Sequence, residues 1–445
     1  MDQRQYWNPW LETLPQEKIR QLQLQKFKAI FEWAYNNSRF YRRLYHDAGI
    51  EPGDIKIFED IRKVPKTEKS MLRSIQGKEP FPYGDILCVP LEEVTTYHQT
   101  SGTTGQPVYQ ADSWHDWELW AECWAYILYA QGYRAIDRVF LPFGYNVFIA
   151  FWGAHYGAEK LGCEVIPGGV LNTEARILKI KELKPSAMMA TPTYILNMAD
   201  TARNKLGIDP SRDLTIRKIT VAGEPGGSIP STRKRMQDAW GAKVYDHVGA
   251  TEIGAWSYEC THQRGLHINE ALFLVEMEDV ETGEYITEPG RTGKMVITNL
   301  NRKAQPCIRF DSKDVICLST ESCDCGRTFR LLKGGVIGRC DDITKVKGVL
   351  LAPSSIDEVV RGIAELCDEY EVIVTKKGET DDITLRVEIL PEFQRQGDKI
   401  KRCLVDELRL KTNLNYNIEY KDYGSLPRYE IKAKRFKDLR TKIKE

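Results

Sequence analysis

Between residues 135 and 250, short apolar runs alternate with longer amphipathic stretches. The runs at 138–141, 164–166, 187–190, 218–221 and 243–244 have strand length. The stretches between them, such as 150–161 and 229–240, repeat apolar residues at helical spacing. This grammar predicts a mainly parallel sheet flanked by helices. Residues 17–47 also carry the helical period, among Lys, Gln and Arg. Over 271–320 the period shortens, with turns at Glu281-Thr282-Gly283 and Pro289-Gly290, which predicts an antiparallel, barrel-like subdomain. Beyond 342, a helix (354–366), strands (371–374 and 383–389), a helix (392–410) and a strand (417–421) predict a small α+β unit. The expected fold is therefore a large α/β N-terminal domain (1–338) joined by a hinge near 335–342 to a small C-terminal domain (339–445).

Length supports more than one core, since 445 residues exceed a single ordinary domain. Lys plus Arg and Asp plus Glu both number 63, and zero net charge argues against bulk binding to nucleic acid or an anionic membrane. The basic C-terminal run (Lys432, Lys434, Arg435, Lys437, Arg440, Lys442, Lys444) reads as a solvated helix or tail, Lys432 excepted. Residues 1–14 lack a basic and apolar leader, so no signal peptide is expected. The longest uncharged run, 139–158, holds Pro142, Asn146 and His155 and reads as buried strand, loop and helix. Eleven cysteines without a secretory signal point to a reducing cytoplasm, where metal ligation is the commoner use of clustered thiols.

The segment Ser101-Gly102-Thr103-Thr104-Gly105-Gln106-Pro107-Val108 is rich in glycine and hydroxyls, which lets backbone amides approach a polyphosphate. No Gly-Lys-Ser/Thr follows, so it is not a Walker loop. Asp246-His247-Val248-Gly249-Ala250-Thr251-Glu252 follows a strand and sets a hydroxyl beside a carboxylate, a pair suited to a phosphate and a Mg²⁺ ion. Ile308-Arg309-Phe310-Asp311-Ser312-Lys313-Asp314 offers a carboxylate for ribose hydroxyls. Gly338-Arg339-Cys340-Asp341-Asp342 lies at the expected hinge, and Pro427-Arg428-Tyr429-Glu430-Ile431-Lys432 puts a lysine in a loop of the small domain.

In this order the motifs resemble the adenylate-forming acyl-CoA synthetases, and among them the phenylacetate–CoA ligase family. Tyr6-Trp7-Asn8-Pro9, His98, the stretch Gly153-Ala154-His155-Tyr156-Gly157-Ala158-Glu159-Lys160-Leu161-Gly162 and Gly223-Glu224-Pro225-Gly226 extend the resemblance over nearly the whole chain. It implies that Ser101, Gly102, Thr103, Thr104 and Gly105 hold the β- and γ-phosphates of ATP. Glu224, Pro225, Gly226, Asp246 and His247 would line the adenine pocket. Thr251 would meet the α-phosphate, Glu252 the Mg²⁺ and Asp314 the ribose. Arg339 would stand by the nucleotide, Asp341 would be the pivot, and Lys432 would reach the α-phosphate during adenylation. Tyr145, Phe148, Gly153, Ala154 and Gly157 would neighbour the acyl group, and Gly348 would face the site during CoA transfer. Two residues depart from the family pattern: Gln106 where Lys is usual, and Ile431 where Gly is usual.

Cys323-Asp324-Cys325-Gly326-Arg327 is a tight Cys-x-Cys before a glycine turn, with Cys260, His262 and His267 upstream. Cys260, His267, Cys323 and Cys325 would make a closed, structural Zn²⁺ site. His262 competes for the histidine place, and a resemblance to family members around Gly265-Leu266-His267 favours His267. The expected reaction joins a carboxylic acid to coenzyme A through an acyl-adenylate, with ATP, Mg²⁺ and CoA. Aromatic residues (Tyr145, Phe148, Phe151, Trp152, Tyr156) suit an aryl acid. AMP transfer to a deazaflavin-type cofactor without CoA, or a nucleotide-binding regulatory or scaffold protein, are the alternatives. The expected partners are the acid, ATP and CoA, with no nucleic acid or membrane, and a homodimer is the oligomer considered.

Overall fold

Ser38 divides the first helical stretch in two: its hydroxyl accepts from the Tyr41 amide at 3.3 Å, ending Gln16–Asn37 and starting Arg39–Asp47. The computed structural model describes residues 5–100, 106–340, 344–347, 349–377, 380–429 and 435–440. Ser101 to Gly105, Asp341, Gly348, Ile431 and Lys432 lie outside the described residues. The chain folds into two compact units. One holds Met1–Leu171, Pro185–Met189 and Tyr245–Val336, and the other holds Asn172–Lys184, Ala190–Val244 and Ile337–Glu445.

In the first unit, Arg138–Leu141 pairs in parallel with Glu164–Pro167 on one side and with residues 187–188 on the other. Short crossovers of this kind need a helix, and Ile149–Lys160 supplies it. The alternation over 271–320 becomes the antiparallel strands Phe273–Glu278, Thr292–Asn299 and Phe310–Leu318. A hairpin of Lys243–Ala250 and Gly254–Glu259 and the strand Leu266–Ile268 continue the antiparallel pairing. The N-terminal helices bury Phe27, Phe31, Tyr41 and Tyr45, and the rings of Phe31 and Tyr45 meet edge-on at 4.6 Å.

In the second unit, helices Thr173–Leu183, Pro192–Leu206 and Pro230–Trp240 accompany the strand Lys218–Val221. Its C-terminal part is α+β: helices Pro353–Gly362 and Gly397–Thr412 cover a four-stranded sheet with a core of Val372, Leu385, Val387, Leu404 and Leu408. Asn417–Lys421 falls where the sequence places it; Leu366–Lys377 and Thr380–Ile389 run longer, because they pair as one antiparallel ribbon. The fold is thus a large mixed sheet with helices plus a small α+β C-terminal region. The reading of the basic end as a solvated tail fails for three residues. Phe436–Asp438 adds a parallel strand beside Leu366–Lys377, Arg435 pairs with Glu369 at 2.8 Å, Lys437 with Glu371, and Arg440 with Asp381 at 2.9 Å. No helix among the described residues is long and apolar enough to cross a membrane.

Candidate active site and metal centre

Helix Ile149–Lys160 lies against helix Trp114–Ala130 because glycines leave room. A Cβ on Gly157 would stand 2.2 Å from the Cβ of Trp124, and one on Gly153 would stand 2.8 Å from its Nε1. These two glycines, read as acyl neighbours, therefore serve helix packing directly. Trp124 also meets the His247 ring at 4.4 Å, so one indole touches an expected adenine residue and two expected acyl residues. Ala154 is buried in the same core. Burial lowers the His247 pKa from 6.5 to about 4, so the ring is neutral at pH 7, and its Nδ1 meets the Ser257 carbonyl at 2.9 Å.

The loop before that helix presents aromatic rings. Tyr145 lies 4.7 Å from Trp152 and 6.0 Å from Phe143, and Phe143 stacks on Phe151 at 3.8 Å. The Tyr145 hydroxyl meets His155 Nδ1 at 2.8 Å, and burial raises its pKa. Phe148 caps the helix start and is half-buried.

Asp246, Thr251 and Glu252 stay on the hairpin side of this unit. The Asp246 amide donates to Glu259 at 2.9 Å, and the Asp246 carboxylate accepts from the His247 amide at 2.9 Å. Arg302 fixes the turn beyond: it donates to the carbonyls of Thr251 (3.0 Å) and Glu252 (3.2 Å) while gripping buried Asp112 at 2.8 and 2.9 Å. The Glu252 side chain is buried, with Lys69 Nζ 2.8 Å from its carboxylate. Asp314 lies in Phe310–Leu318, its amide donating to Ser312 Oγ at 3.1 Å.

In the second unit, the Glu224 carboxylate accepts from the Thr193 amide at 2.7 Å. Gly226 must be glycine, because a Cβ there would sit 2.6 Å from Pro192. Pro225 lies between them in the same loop, and Arg339 ends the strand Leu331–Arg339. Lys69, Arg302 and Trp124 escape sequence reading, since no spacing links them to the motifs they support.

Four buried ligand atoms, from Cys260, His267, Cys323 and Cys325, lie within 4.8 Å of one another. Sγ of Cys260 and Cys323 are 3.6 Å apart, and Cys325 Sγ is 3.4 Å from His267 Nε2. Zinc bonds of about 2.3 Å to sulfur in a tetrahedron put neighbouring donors roughly 3.5–3.8 Å apart, so the set fits the ion. His267 Nδ1 meets the Phe329 carbonyl at 3.2 Å, which leaves Nε2 as the ligating nitrogen. Hydrogen bonds from Cys260 and then His267 favour the Cys325 thiolate. His262 is exposed and outside the group.

Residues 348–440 match the model of the AMP-binding enzyme C-terminal domain. A phenylacetate-coenzyme A ligase of Thermus thermophilus is 35% identical over 393 residues, covering 88% of this chain and 86% of that protein. Another from Pseudomonas putida is 33% identical over 430 residues, covering 95% and 94%. The chain belongs to the phenylacetate–coenzyme A ligase family. A solved 2-hydroxyisobutyryl-CoA ligase, in its postadenylation state with 2-HIB-AMP, superposes with a TM-score of 0.93 at 28% identity, covering 98% of this chain and 93% of that one.

Proposed function

We propose that this chain is an AMP-forming acid–CoA ligase acting on aryl or arylacetic acids. The observation that carries the reading is likeness to phenylacetate-coenzyme A ligases along 88–97% of the chain. The acid's carboxylate attacks the α-phosphorus of ATP, forming an acyl–oxygen–phosphorus link and expelling pyrophosphate. The CoA thiol then attacks the acyl carbon, loses its proton, and AMP leaves. Carboxylates are poor acyl donors, so the enzyme's task is positioning and charge stabilisation around phosphorus.

Ser101 to Gly105 hold the β- and γ-phosphates, and Lys432 neutralises charge at the α-phosphate. Glu224, Pro225, Gly226, Asp246 and His247 take adenine; neutral His247 suits that uncharged ring. Thr251 contacts the α-phosphate, Asp314 the ribose and Arg339 the nucleotide. Tyr145, Phe148 and the 153–157 helix turn neighbour the acyl group, where Phe143, Phe151 and Trp152 supply flat apolar surface. Glu252, a buried carboxylate that already attracts a cation, would hold Mg²⁺, which supplies charge neutralisation on the phosphates. Cys260, His267, Cys323 and Cys325 would hold Zn²⁺; four protein ligands close the coordination shell, so the ion supplies stability. Residues 339–445 turn about Asp341 between the half-reactions, bringing Gly348 to the site for CoA transfer. Eleven free cysteines support a reducing, cytoplasmic setting.

A screen of aryl and arylacetic acids for pyrophosphate release, with and without CoA, tests the proposal. CoA-dependent AMP and thioester formation is the expected result. An adenylated deazaflavin-type cofactor made without CoA, or ATP binding without pyrophosphate release from any acid, overturns it.

A further inference from the structure

A chain of hydrogen bonds runs from the helix Ile149–Lys160 to the aromatic loop before it. His155 and Glu159 are spaced i, i+4 on that helix, so they share a face. His155 Nε2 lies 3.0 Å from Glu159 Oε1, and its Nδ1 lies 2.8 Å from the Tyr145 hydroxyl. An ionised carboxylate only accepts, so Nε2 carries the hydrogen; Nδ1 is then the acceptor and Tyr145 the donor. Burial, and then the Glu159 charge, raise the Tyr145 pKa, which keeps that hydroxyl protonated. The His155 ring also meets the Tyr145 ring edge-on at 5.5 Å.

The backbone of this loop is fastened without His155. The Gln99 amide donates to the Val147 carbonyl at 3.0 Å, and Trp152 Nε1 donates to the Asn146 carbonyl at 2.9 Å. Those bonds leave the Tyr145 side chain unset. It is half-buried and packs against the rings of Trp152 at 4.7 Å and Phe143 at 6.0 Å. Apolar contact fills the space around a ring, whereas a hydrogen bond is directional and fixes where its hydroxyl points. His155 makes that bond. The His155–Glu159 pair, with Glu159 exposed, adds little to helix stability by itself, so stability alone does not account for a chain that ends on Tyr145.

We propose that His155 is a positioning residue for the acyl group: by holding the Tyr145 hydroxyl it sets the tyrosine ring as a fixed wall beside the acid. The inference rests on the ligase reading above, which makes Tyr145 a neighbour of the acyl group. An aryl acid binds better against a wall already in place, because no side-chain freedom is lost when it arrives. Without His155 the ring has other staggered rotamers open to it, and a half-buried donor is left unpaired. Binding of the acid must then reorder the ring. In the same reading other residues hold the nucleotide, so the effect falls on KM for the acid.

The test uses the full chain with ATP, Mg²⁺ and phenylacetate, read as pyrophosphate release; the best acid of the screen above replaces phenylacetate if the parent does not turn it over. His155→Leu removes both hydrogen bonds, His155→Asn keeps an acceptor near the Nδ1 position, and Tyr145→Phe keeps the ring without its hydroxyl. His155→Leu and Tyr145→Phe should each raise KM for the acid about five- to tenfold, with kcat and KM for ATP within about twofold. The double substitution should raise it no further, since both changes break the same bond. His155→Asn should recover most of the parental KM. His155→Leu should melt near the parent temperature, which separates positioning from folding. A parental KM for the acid in His155→Leu or Tyr145→Phe, rises that add in the double substitution, or an equal rise in KM for ATP overturns the inference. Failure of the unsubstituted chain to release pyrophosphate with any acid instead overturns the ligase reading, and the inference with it.

Discussion

His247 shows how burial at one residue shapes behaviour in acid. Desolvation holds its pKa near 4 in the folded chain, against 6.5 when unfolded, so below pH 6.5 the unfolded state binds more protons. Its contribution is complete above pH 6.5 and falls away as pH drops towards 4, amounting to roughly 3 kcal/mol for a shift of this size. His98, buried and stacked on Trp117 at 5.2 Å, has its pKa lowered to about 4 by burial and acts in the same direction. His247→Phe should flatten the decline of the urea midpoint between pH 6.5 and 4.5 by about one proton's worth; parallel curves would refute this. Gln106 offers a second residue-level test. It is exposed, and its backbone carbonyl accepts from Arg73 Nε at 2.9 Å, so a guanidinium already stands just after the 101–105 segment. Gln106→Lys adds a charge-assisted contact and should lower KM for ATP a fewfold with kcat little changed. An unchanged or raised KM would show that the loop does not use a cation at 106.

At the scale of elements, close packing between helices and the buried cluster of three cysteines and a histidine hold separate parts of the first unit together. Gly157→Ala would push a methyl into Trp124, and overpacking of this kind costs roughly 1–3 kcal/mol. A fall in melting temperature with that substitution, and little change for an exposed position such as Leu178, would confirm the helix contact. The turn at Cys323–Cys325, half of the candidate zinc site, is tied to the N-terminal segment: Tyr6 and Gln5 both donate to the Cys325 carbonyl at 3.0 Å, and Arg327 pairs with buried Glu12. Cys325→Ser should therefore lower the melting temperature more than the activity of the protein that remains folded. Elemental analysis should find one zinc per chain, and zinc-free protein purified without chelator would refute the site.

Much of this was legible beforehand. The Cys-x-Cys spacing, with Cys260 and His267 upstream, marks the cluster that the fold brings together, and the alternation that begins near 135 marks the parallel strands Arg138–Leu141, Glu164–Pro167 and Ala187–Ala190. What the sequence hides is non-local. Nothing near Lys69 marks it as Glu252's partner, nothing in Gly153-x-x-x-Gly157 names Trp124, and a run of lysines and arginines looked solvated until Glu369, Glu371 and Asp381 met it.

For the whole molecule, two half-reactions at one nucleotide demand two arrangements of the residues around it. A pivot is then required, and Asp341 is the residue proposed for it. Proline there fixes φ near −65° and removes the amide donor, which stiffens the chain at that point. Asp341→Pro should therefore keep pyrophosphate release near the parental rate while thioester formation from supplied adenylate falls at least tenfold. If Asp341→Pro instead lowers both half-reactions by one factor with the melting temperature unchanged, the turning point lies elsewhere in residues 335–342. Rates of the two half-reactions, measured separately on the same preparation, decide between these outcomes.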